Sequence, residues 1–211
     1  PASVCYRRPD GRVLTLAGHD QLVYEVLGKQ LIISPESFFQ VNLAVAEQML
    51  SHVLSLLPAR DDLRVLELFS GAGFFSVFLA EKCRELIAVE SAPSACYDFA
   101  NNLDAYDHIS LYEGAVEHVL PALASELKGI DLVLLDPPRA GLLAPARKAL
   151  QELNPKQIIY ASCDPSTLAR DLKHLIAAGY MLHDVRAFDM FPQTYHIEAV
   201  AMLSRPGNGE G

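Results

Sequence analysis

A cysteine stands directly after a short apolar segment, at a place where nucleophilic chemistry can occur. The apolar run within residues 157–162 has no helical period, and Cys163 follows it, ahead of Pro165. In an open α/β sheet, ligands bind outside the carboxyl ends of the strands. Cys163 is therefore a candidate nucleophile. The alternative is a small buried hydrophobe, since the environment and the pKa of a cysteine decide its reactivity.

A glycine-containing turn at residues 67–73, Glu-Leu-Phe-Ser-Gly-Ala-Gly, is a candidate cofactor-binding element. Glycines there let the backbone approach a ligand closely. The dinucleotide pattern GxGxxG is matched only in part, because Ser76 occupies the third glycine position, and the GK[ST] ending of a P-loop is absent. The remaining interpretation is the nucleoside-cofactor turn of an S-adenosylmethionine enzyme.

An acidic residue at the end of the next predicted strand fits the same interpretation. Glu90 follows Gly71 by 19 residues, a spacing at which a carboxylate can meet the ribose hydroxyls of a nucleoside across the sheet. A solvated glutamate at a strand end is the open alternative, and the spacing alone does not decide between the two.

Two further acids stand at predicted strand ends. Asp136 begins the segment Asp-Pro-Pro-Arg, in which two prolines stiffen the loop beside the switch point between the first and fourth strands. His196 and Glu198 are two residues apart, so on a strand both side chains face one side. Glu198 is a candidate acid/base partner for Cys163; the alternative is an exposed glutamate on an edge strand.

The elements that must position these residues alternate between strand and helix from Arg64 onward. This alternation predicts a mostly parallel sheet with helices on both faces, and two closing strands without a helix between them predict an antiparallel edge hairpin. The predicted strands are 65–69, 85–89, 109–112, 131–135, 157–162, 181–188 and 197–203, and the predicted helices are 74–82, 92–103, 116–127, 145–153 and 166–178.

The first part of the sequence predicts a different kind of structure. Strand-like runs at 12–16, 22–27 and 31–34, separated by turns, indicate a small antiparallel β segment over residues 1–33. An amphipathic helix follows at about 41–56. We expect one catalytic domain over 34–205 and a disordered tail over 206–211.

Composition narrows the class of protein. The chain has 211 residues, 51% of them hydrophobic, and no apolar run long enough to span a bilayer. Its four scattered cysteines have no metal-ligand spacing, so we expect free thiols, no metal and a cytoplasmic location. The net charge of −9 argues mildly against a nucleic-acid binder without excluding one. Because the sequence opens mid-pattern, we expect it to be a piece of a longer protein. We also expect a monomer.

Taken together, five stretches resemble the RNA 5-methyluridine methyltransferase family, in the family's order and over roughly residues 34–203. They are Phe-Phe-Gln-Val-Asn at 38–42, Glu-Leu-Phe-Ser-Gly-Ala-Gly at 67–73, Asp-Pro-Pro-Arg-Ala-Gly at 136–141, Ser-Cys-Asp-Pro at 162–165 and Phe-Pro-Gln-Thr-Tyr-His-Ile-Glu at 191–198.

The resemblance implies a class I S-adenosylmethionine-dependent methyltransferase fold with a Rossmann-like sheet, S-adenosyl-L-methionine as cofactor, and RNA as substrate. It assigns the nucleophile to Cys163 and the general base to Glu198. The positions that match cofactor contacts are Gln40, Phe69, Gly71, Glu90 and Asp136.

Three residues depart from the pattern of the family. Glu67 and Ser70 stand where the family more often has Asp and Cys, and Asp164 stands where it often has Asn. A negative charge beside a thiol opposes formation of the thiolate, so Asp164 is expected to slow Cys163. Longer members also carry an RNA-binding barrel, and some an iron–sulfur cysteine cluster; neither pattern is in these residues, and we expect RNA to be gripped mainly by such parts.

The implied reaction is methylation of C5 of uracil in rRNA or tRNA. A cysteine thiolate adds to C6, C5 then takes the methyl group, and a base removes the C5 proton; the target base must leave its stack. Arg139 stands where amino-group methyltransferases tend to have an aromatic residue, and the cysteine that cytosine-C5 enzymes carry in this motif is absent from it, which favours uracil. An inactive cofactor-binding interaction module and an NAD-type oxidoreductase remain open as alternatives.

Overall fold

The computed structural model of the protein describes residues 3–10 and 13–207. The chain begins with two antiparallel hairpins: β1 (Val4–Arg7) pairs with β2 (Val13–Ala17), and β3 (Leu22–Val26) pairs with β4 (Lys29–Ile33). This confirms an antiparallel N-terminal piece, although β1 was not predicted. The four last residues of the expected disordered tail, 208–211, lie outside the described residues.

The first helix, α1 (Leu43–Ser55), has a side-chain cap at its start, where the first backbone N–H groups of a helix have no carbonyl acceptor within it. Asn42 is its N-cap, and the side-chain Oδ1 accepts a hydrogen bond from Val45 N at 3.3 Å. The apolar residues recur at helical spacing, so Met49, Leu50 and Val53 are all buried against the sheet.

Seven strands form the central sheet, as the alternation predicts. Their order is β10-β11-β9-β8-β5-β6-β7, and β11 runs in the opposite direction to the other six strands. The expected edge hairpin is present, but the strand that carries Glu198 is an inner one, because β10 lies outside it. The strands are β5 (Leu63–Leu68), β6 (Cys83–Glu90), β7 (Ile109–Glu113), β8 (Leu132–Leu135), β9 (Gln157–Ser162), β10 (Met181–Phe188) and β11 (Glu198–Ser204).

Helices cover both faces of this sheet. Each face has its own buried hydrophobic cluster, one around Phe99 and the other around Tyr160, which explains why β8 and the middle of β9 are apolar without alternation. The helices are α2 (Ser76–Leu79), continued by a 3₁₀ turn at Ala80–Lys82, α3 (Pro93–Leu103), α4 (Val116–Glu126), α5 (Ala144–Leu153) and α6 (Pro165–Ala177).

The helix predicted over 74–82 is wrong in its first part. Phe74 and Phe75 belong to the turn of residues 71–75 after β5, in which Gly71 and Gly73 adopt positive φ angles of 56° and 91°, and the helix begins only at Ser76. A methyl group on Gly73 would lie 3.1 Å from Leu103 Cδ1, so this glycine also allows the turn to pack closely against α3.

Candidate active site

The carboxyl ends of the parallel strands meet at one edge of the sheet. Phe69 N donates to Val89 O at 2.9 Å, which places the end of β5 beside Glu90 at the end of β6. On the other side, Asp136 N donates to Leu68 O at 3.3 Å. Phe69, Glu90 and Asp136 are therefore neighbours across three strands, as predicted for the ends of parallel strands.

The antiparallel strand β11 brings Glu198 to the same edge. In its pairing with β9, Ala199 lies opposite Ser162 and Val200 opposite Ala161. The pairing ends there; Glu198 is the next residue along β11 and Cys163 is the next residue after β9, so both come to this edge of the sheet, and the charge of Glu198 acts on the Cys163 thiol. Glu198 is buried, with 8% of its surface exposed, and the exposed-glutamate interpretation is thereby wrong.

A cavity of about 710 Å³ opens at this edge of the sheet. Part of its wall is the cavity loop, residues 34–42 between β4 and α1. All seven predicted site residues line it, namely Gln40, Phe69, Gly71, Glu90, Asp136, Cys163 and Glu198.

Sequence reasoning missed one part of the cavity wall. Ala115, Val116 and Glu117 line it, and they lie just beyond the end of β7, at the same edge of the sheet. The strand-end rule that selected Glu90 and Asp136 applies equally to β7, so this signal was available.

Glu90 is tied to the glycine turn. The carboxylate Oε2 accepts a hydrogen bond from Gly71 N at 2.9 Å, and Oε1 accepts from Ser91 N and Ala92 N at 2.6 and 2.7 Å. Phe69, at the start of the same turn, has a φ of 62° although it has a side chain. Such strained residues cluster at ligand sites. The turn and the acid are thus held together in the arrangement expected for a nucleoside-binding crevice.

Unpaired hydroxyl groups show that the cavity fits a polar ligand. Ser37 and Ser70 both line it, and their Oγ atoms are buried without a hydrogen-bond partner among the described residues. A buried hydroxyl without a partner is costly, and a ligand with polar groups would supply the missing bonds. The cavity also presents carboxylates to a positively charged ligand.

Charge in the cavity acts on the reactive groups. Burial, together with the negative charge of Glu198, raises the pKa of Asp136 to about 7. Burial also raises the pKa of Glu198, while Arg139 opposes that rise. The pKa of the Cys163 thiol is raised by burial and then by the charges of Glu198 and Asp136, again against Arg139. A cation bound beside these carboxylates would favour the thiolate.

Asp164, which the sequence predicts to oppose the Cys163 thiolate, has a structural role. It is the N-cap of α6: its carboxylate Oδ1 accepts a hydrogen bond from Thr167 N at 2.8 Å. These hydrogen bonds to Thr167 lower the pKa of Asp164, whereas Asp164 is not among the charges that raise the pKa of Cys163. The acid therefore serves the same capping role as an asparagine.

His196 does not share a strand face with Glu198. It precedes β11, which begins at Glu198, and its ring contacts Arg139, whose guanidinium donates to Nδ1. The Tyr195 ring lies beside it, with centroids 4.1 Å apart. The two-residue period of a strand holds only within the strand, so the spacing of His196 and Glu198 does not place their side chains on one face.

Glu67, one of the departures from the family pattern, is a buried acid in β5, the strand that leads into the glycine turn. Its Oε2 accepts a hydrogen bond from Ser76 Oγ at 2.5 Å, and Oε1 has no partner in the part of the chain that the structure describes. Burial raises its pKa from 4.5 to about 8. The native protein therefore binds a proton that the unfolded chain has released across this range.

This proton makes stability depend on pH. Because the native pKa is the higher one, stability is lost as the pH rises from about 4.5 to about 8. In Glu67→Gln this loss should disappear, so the variant should melt above the wild type at about pH 8 and match it near pH 4.5. Thermal unfolding at several pH values measures this difference, and Glu126→Gln, which changes an exposed residue of α4, is the control. Parallel profiles of Glu67→Gln and wild type would contradict it.

The loop after Asp136 is fastened by helix α6. Thr167 Oγ1 donates to Arg139 O at 3.0 Å, and Arg170 donates to Ala140 O at 2.8 Å. The fully buried Asp171 accepts from Leu142 N at 2.9 Å and from the Tyr160 hydroxyl at 2.8 Å. One carboxylate thus joins this loop to β9, the strand that leads to Cys163.

Gly141 permits this close fit. It has a φ of 68°, and a Cβ there would lie 2.5 Å from Asp171 Oδ2 and closer still to Thr167 Cγ2. Gly141→Ala should destabilise the protein by about 2–4 kcal/mol, from backbone strain plus overpacking. Urea unfolding tests this against Gly129→Ala, which has the same φ of 68° but open space and should cost about 1 kcal/mol. Equal losses would show that packing at Gly141 is not tight.

Two kinds of feature are absent from the described residues, 3–10 and 13–207. No group of three or more His, Cys, Asp or Glu side chains there could hold a metal ion. Within the same ranges, no helix is both long and apolar enough to cross a membrane.

The sheet order and the cavity at its carboxyl edge define the class I S-adenosylmethionine-dependent methyltransferase fold. A tRNA (uracil-54, C5)-methyltransferase of Pyrococcus abyssi, solved in complex with S-adenosyl-L-homocysteine, superposes with a TM-score of 0.76. It is 31% identical and matches 91% of this chain and 45% of its own. The model of the tRNA (uracil-5-)-methyltransferase family matches residues 20–206, and the chain belongs to that family.

Curated relatives agree with this membership. The 23S rRNA (uracil(1939)-C(5))-methyltransferase RlmD of Pectobacterium atrosepticum is 37% identical over 200 residues, 94% of this chain. That of Yersinia enterocolitica is 39% identical over 189 residues, 87% of this chain. The chain spans only 44% and 42% of the length of these two relatives.

Proposed function

We propose that this chain is the catalytic part of an enzyme that methylates C5 of a uridine in RNA, with S-adenosylmethionine as methyl donor and a covalent bond between cysteine and C6 on the way. The observation that carries the proposal is that Cys163 and Glu198, which adjoin the last paired residues of β9 and β11, both line one cavity and that the charge of Glu198 acts on the Cys163 thiol. A thiol and a buried carboxylate facing one crevice are the nucleophile and base that this reaction needs.

The cofactor would occupy the part of the cavity around the glycine turn. Glu90 and Gly71 fit its nucleoside, and Gln40, Phe69 and Asp136 line the same space. When bound, S-adenosylmethionine supplies an electrophilic methyl group. Its positive charge would lie among carboxylates whose pKa values are raised, which favours binding of a cation over a neutral ligand.

The residues of the chain perform the remaining steps. Cys163 adds as thiolate to C6 of the uracil ring, and the electron pair displaced onto C5 makes that carbon nucleophilic. After C5 has been methylated, Glu198 accepts the C5 proton, and the electrons of the broken C–H bond restore the ring as the Cys163 sulfur leaves. A buried base with a raised pKa is suited to this proton transfer near neutral pH.

RNA is the proposed partner, and the relatives leave its kind open, because one group acts on rRNA and another on tRNA by name. A net charge of −9 offers little attraction to phosphates. We therefore propose that most of the RNA affinity resides in parts of the full-length protein beyond these residues.

Methyl transfer is tested directly with S-adenosylmethionine that carries a deuterated methyl group. The full-length protein is incubated with unmodified rRNA and tRNA transcripts, which are then digested to nucleosides for mass spectrometry. Labelled 5-methyluridine in one of the two supports the proposal and identifies the kind of RNA. Cofactor binding without labelled nucleoside from either RNA would favour the rival, a cofactor-binding interaction module without activity.

Binding of the cofactor can be tested on this chain alone. S-adenosyl-L-homocysteine at a hundredfold excess over its Kd should stabilise the native state by about 2.7 kcal/mol. For a chain of this size the melting temperature should rise by roughly 5–10 °C. NAD at the same concentration is the control and should leave it unchanged. A melting curve that moves with NAD and not with the homocysteine compound would support the oxidoreductase instead.

A further inference from the structure

Helix α3 carries two polar side chains for which the proposed chemistry has no use. Asp98 and Asn102 are four residues apart, so they lie on one face of the helix, and Asp98 is fully buried. Polar groups away from water are costly unless they are hydrogen-bonded. Their partners therefore show what this face of α3 holds in place.

Asn102 joins the N-terminal hairpin to the glycine turn. Its Oδ1 accepts from Ile32 N at 2.8 Å, and its Nδ2 donates to Ile32 O at 3.0 Å. The same Nδ2 donates to Ala72 O at 2.9 Å. One amide group thus pairs with β4 as a neighbouring strand would and, at the same time, holds the turn that follows β5.

Asp98 fixes the first residue of the cavity loop. Its Oδ2 accepts from Ser34 N at 2.8 Å, and its Oδ1 accepts from Ser34 Oγ at 2.5 Å. Hydrogen bonds to a charged group are stronger than those between neutral groups. The loop therefore leaves β4 in a direction that α3 sets.

The cavity loop carries five consecutive residues that line the cavity, 36–40. Further on, Phe39 packs against Tyr24 and Phe74, with ring centroids 4.5 and 5.9 Å apart. At its end, Asn42 donates to Met190 O at 3.5 Å. The loop is thus held at its start by α3, and this start lies two residues before the cavity wall.

We infer that Asp98 and Asn102, together called the α3 clamp, are positioning residues that hold the cavity loop against the glycine turn and so form the cofactor cavity before the cofactor binds. The identity of that ligand rests on the proposed function. A site formed in advance avoids the cost of ordering a loop on binding. Loss of the clamp lowers the fraction of competent molecules and raises the apparent Kd in proportion.

The test compares Asn102→Ala and Asp98→Ala with Asn101→Ala, a change of the neighbouring residue on the same helix. Amide hydrogen exchange of this chain without ligand reports the clamp, because Ile32 N and Ser34 N donate to its side chains. Titration with S-adenosyl-L-homocysteine reports the cavity. Ser34→Ala is a milder variant that removes one hydrogen bond and serves if a clamp variant does not fold.

Asn102→Ala should speed amide exchange at Ile32, and Asp98→Ala should speed it at Ser34. Each of these two variants should weaken binding of S-adenosyl-L-homocysteine about tenfold. The affinity of Ser34→Ala should lie between theirs and that of the wild type, and Asn101→Ala should behave like the wild type. In the full-length enzyme, KM for S-adenosylmethionine should rise while kcat at saturation stays within about twofold. Faster exchange with unchanged affinity, or unchanged exchange, would overturn the inference. A wild type that does not bind the homocysteine compound would overturn the proposed function, while exchange still tests the clamp.

Discussion

Cys163→Ala is expected to abolish methylation of RNA and covalent capture of RNA together. Without the sulfur no bond to C6 can form, and C5 of uracil is a poor nucleophile on its own. The loss in kcat should be on the order of 10⁴-fold or more, as for other covalent nucleophiles. Steady-state methylation assays with the full-length protein measure it.

The control for this variant is Cys5→Ala, which removes an exposed cysteine on β1 and should leave the rate unchanged. Binding of S-adenosyl-L-homocysteine should persist in Cys163→Ala, because the glycine turn and Glu90 are intact. Methylation that survives in Cys163→Ala would show that transfer does not pass through this thiol.

Glu198→Gln is expected to stop the reaction at a later step. The amide keeps the shape of the side chain but cannot accept the C5 proton, so the thiol still adds and the methyl group still moves, and the ring then stays bound to Cys163. Loss of a general base costs about 10²–10⁴-fold in rate. A protein–RNA adduct that resists denaturation should therefore accumulate and appear as a shifted band on a denaturing gel.

A double variant controls for the origin of that band. With both Glu198→Gln and Cys163→Ala, no adduct should form, because the attacking sulfur is gone. Normal turnover by Glu198→Gln alone would mean that a different group removes the proton.

Much of the site could be predicted from sequence because it depends on local signals. Glu90 and Asp136 each follow an apolar run that is buried on both faces, and the ends of such strands meet at one edge of a parallel sheet. Asp164 before Pro165 is likewise a local helix-start signal. The same residue also predicts a charge beside a thiol, and only the hydrogen bond from Thr167 N identifies it as the cap of α6.

The rest depended on contacts between distant parts of the chain. Glu198 reaches the same cavity as Cys163 because β11 enters the sheet between β9 and β10, and a pattern within the last forty or so residues does not fix which strand lies outside. The turn ahead of α2 contains Gly73, which lies close to Leu103 of α3, a residue 30 positions along the chain. The α3 clamp joins residues 30 to 70 positions apart, so no local pattern reveals it.

The most direct test of the whole account is the chemical identity of an adduct with RNA that contains 5-fluorouridine. In this RNA, C5 carries fluorine in place of the hydrogen that the base would remove as a proton. The reaction should therefore halt after thiol addition and methyl transfer. The full-length protein is incubated with this RNA and S-adenosylmethionine, digested, and its peptides are mapped by mass spectrometry. We predict a single modified peptide in which Cys163 carries a methylated 5-fluorouridine. An unmodified Cys163, or an adduct on another residue, would contradict the assignment of this site.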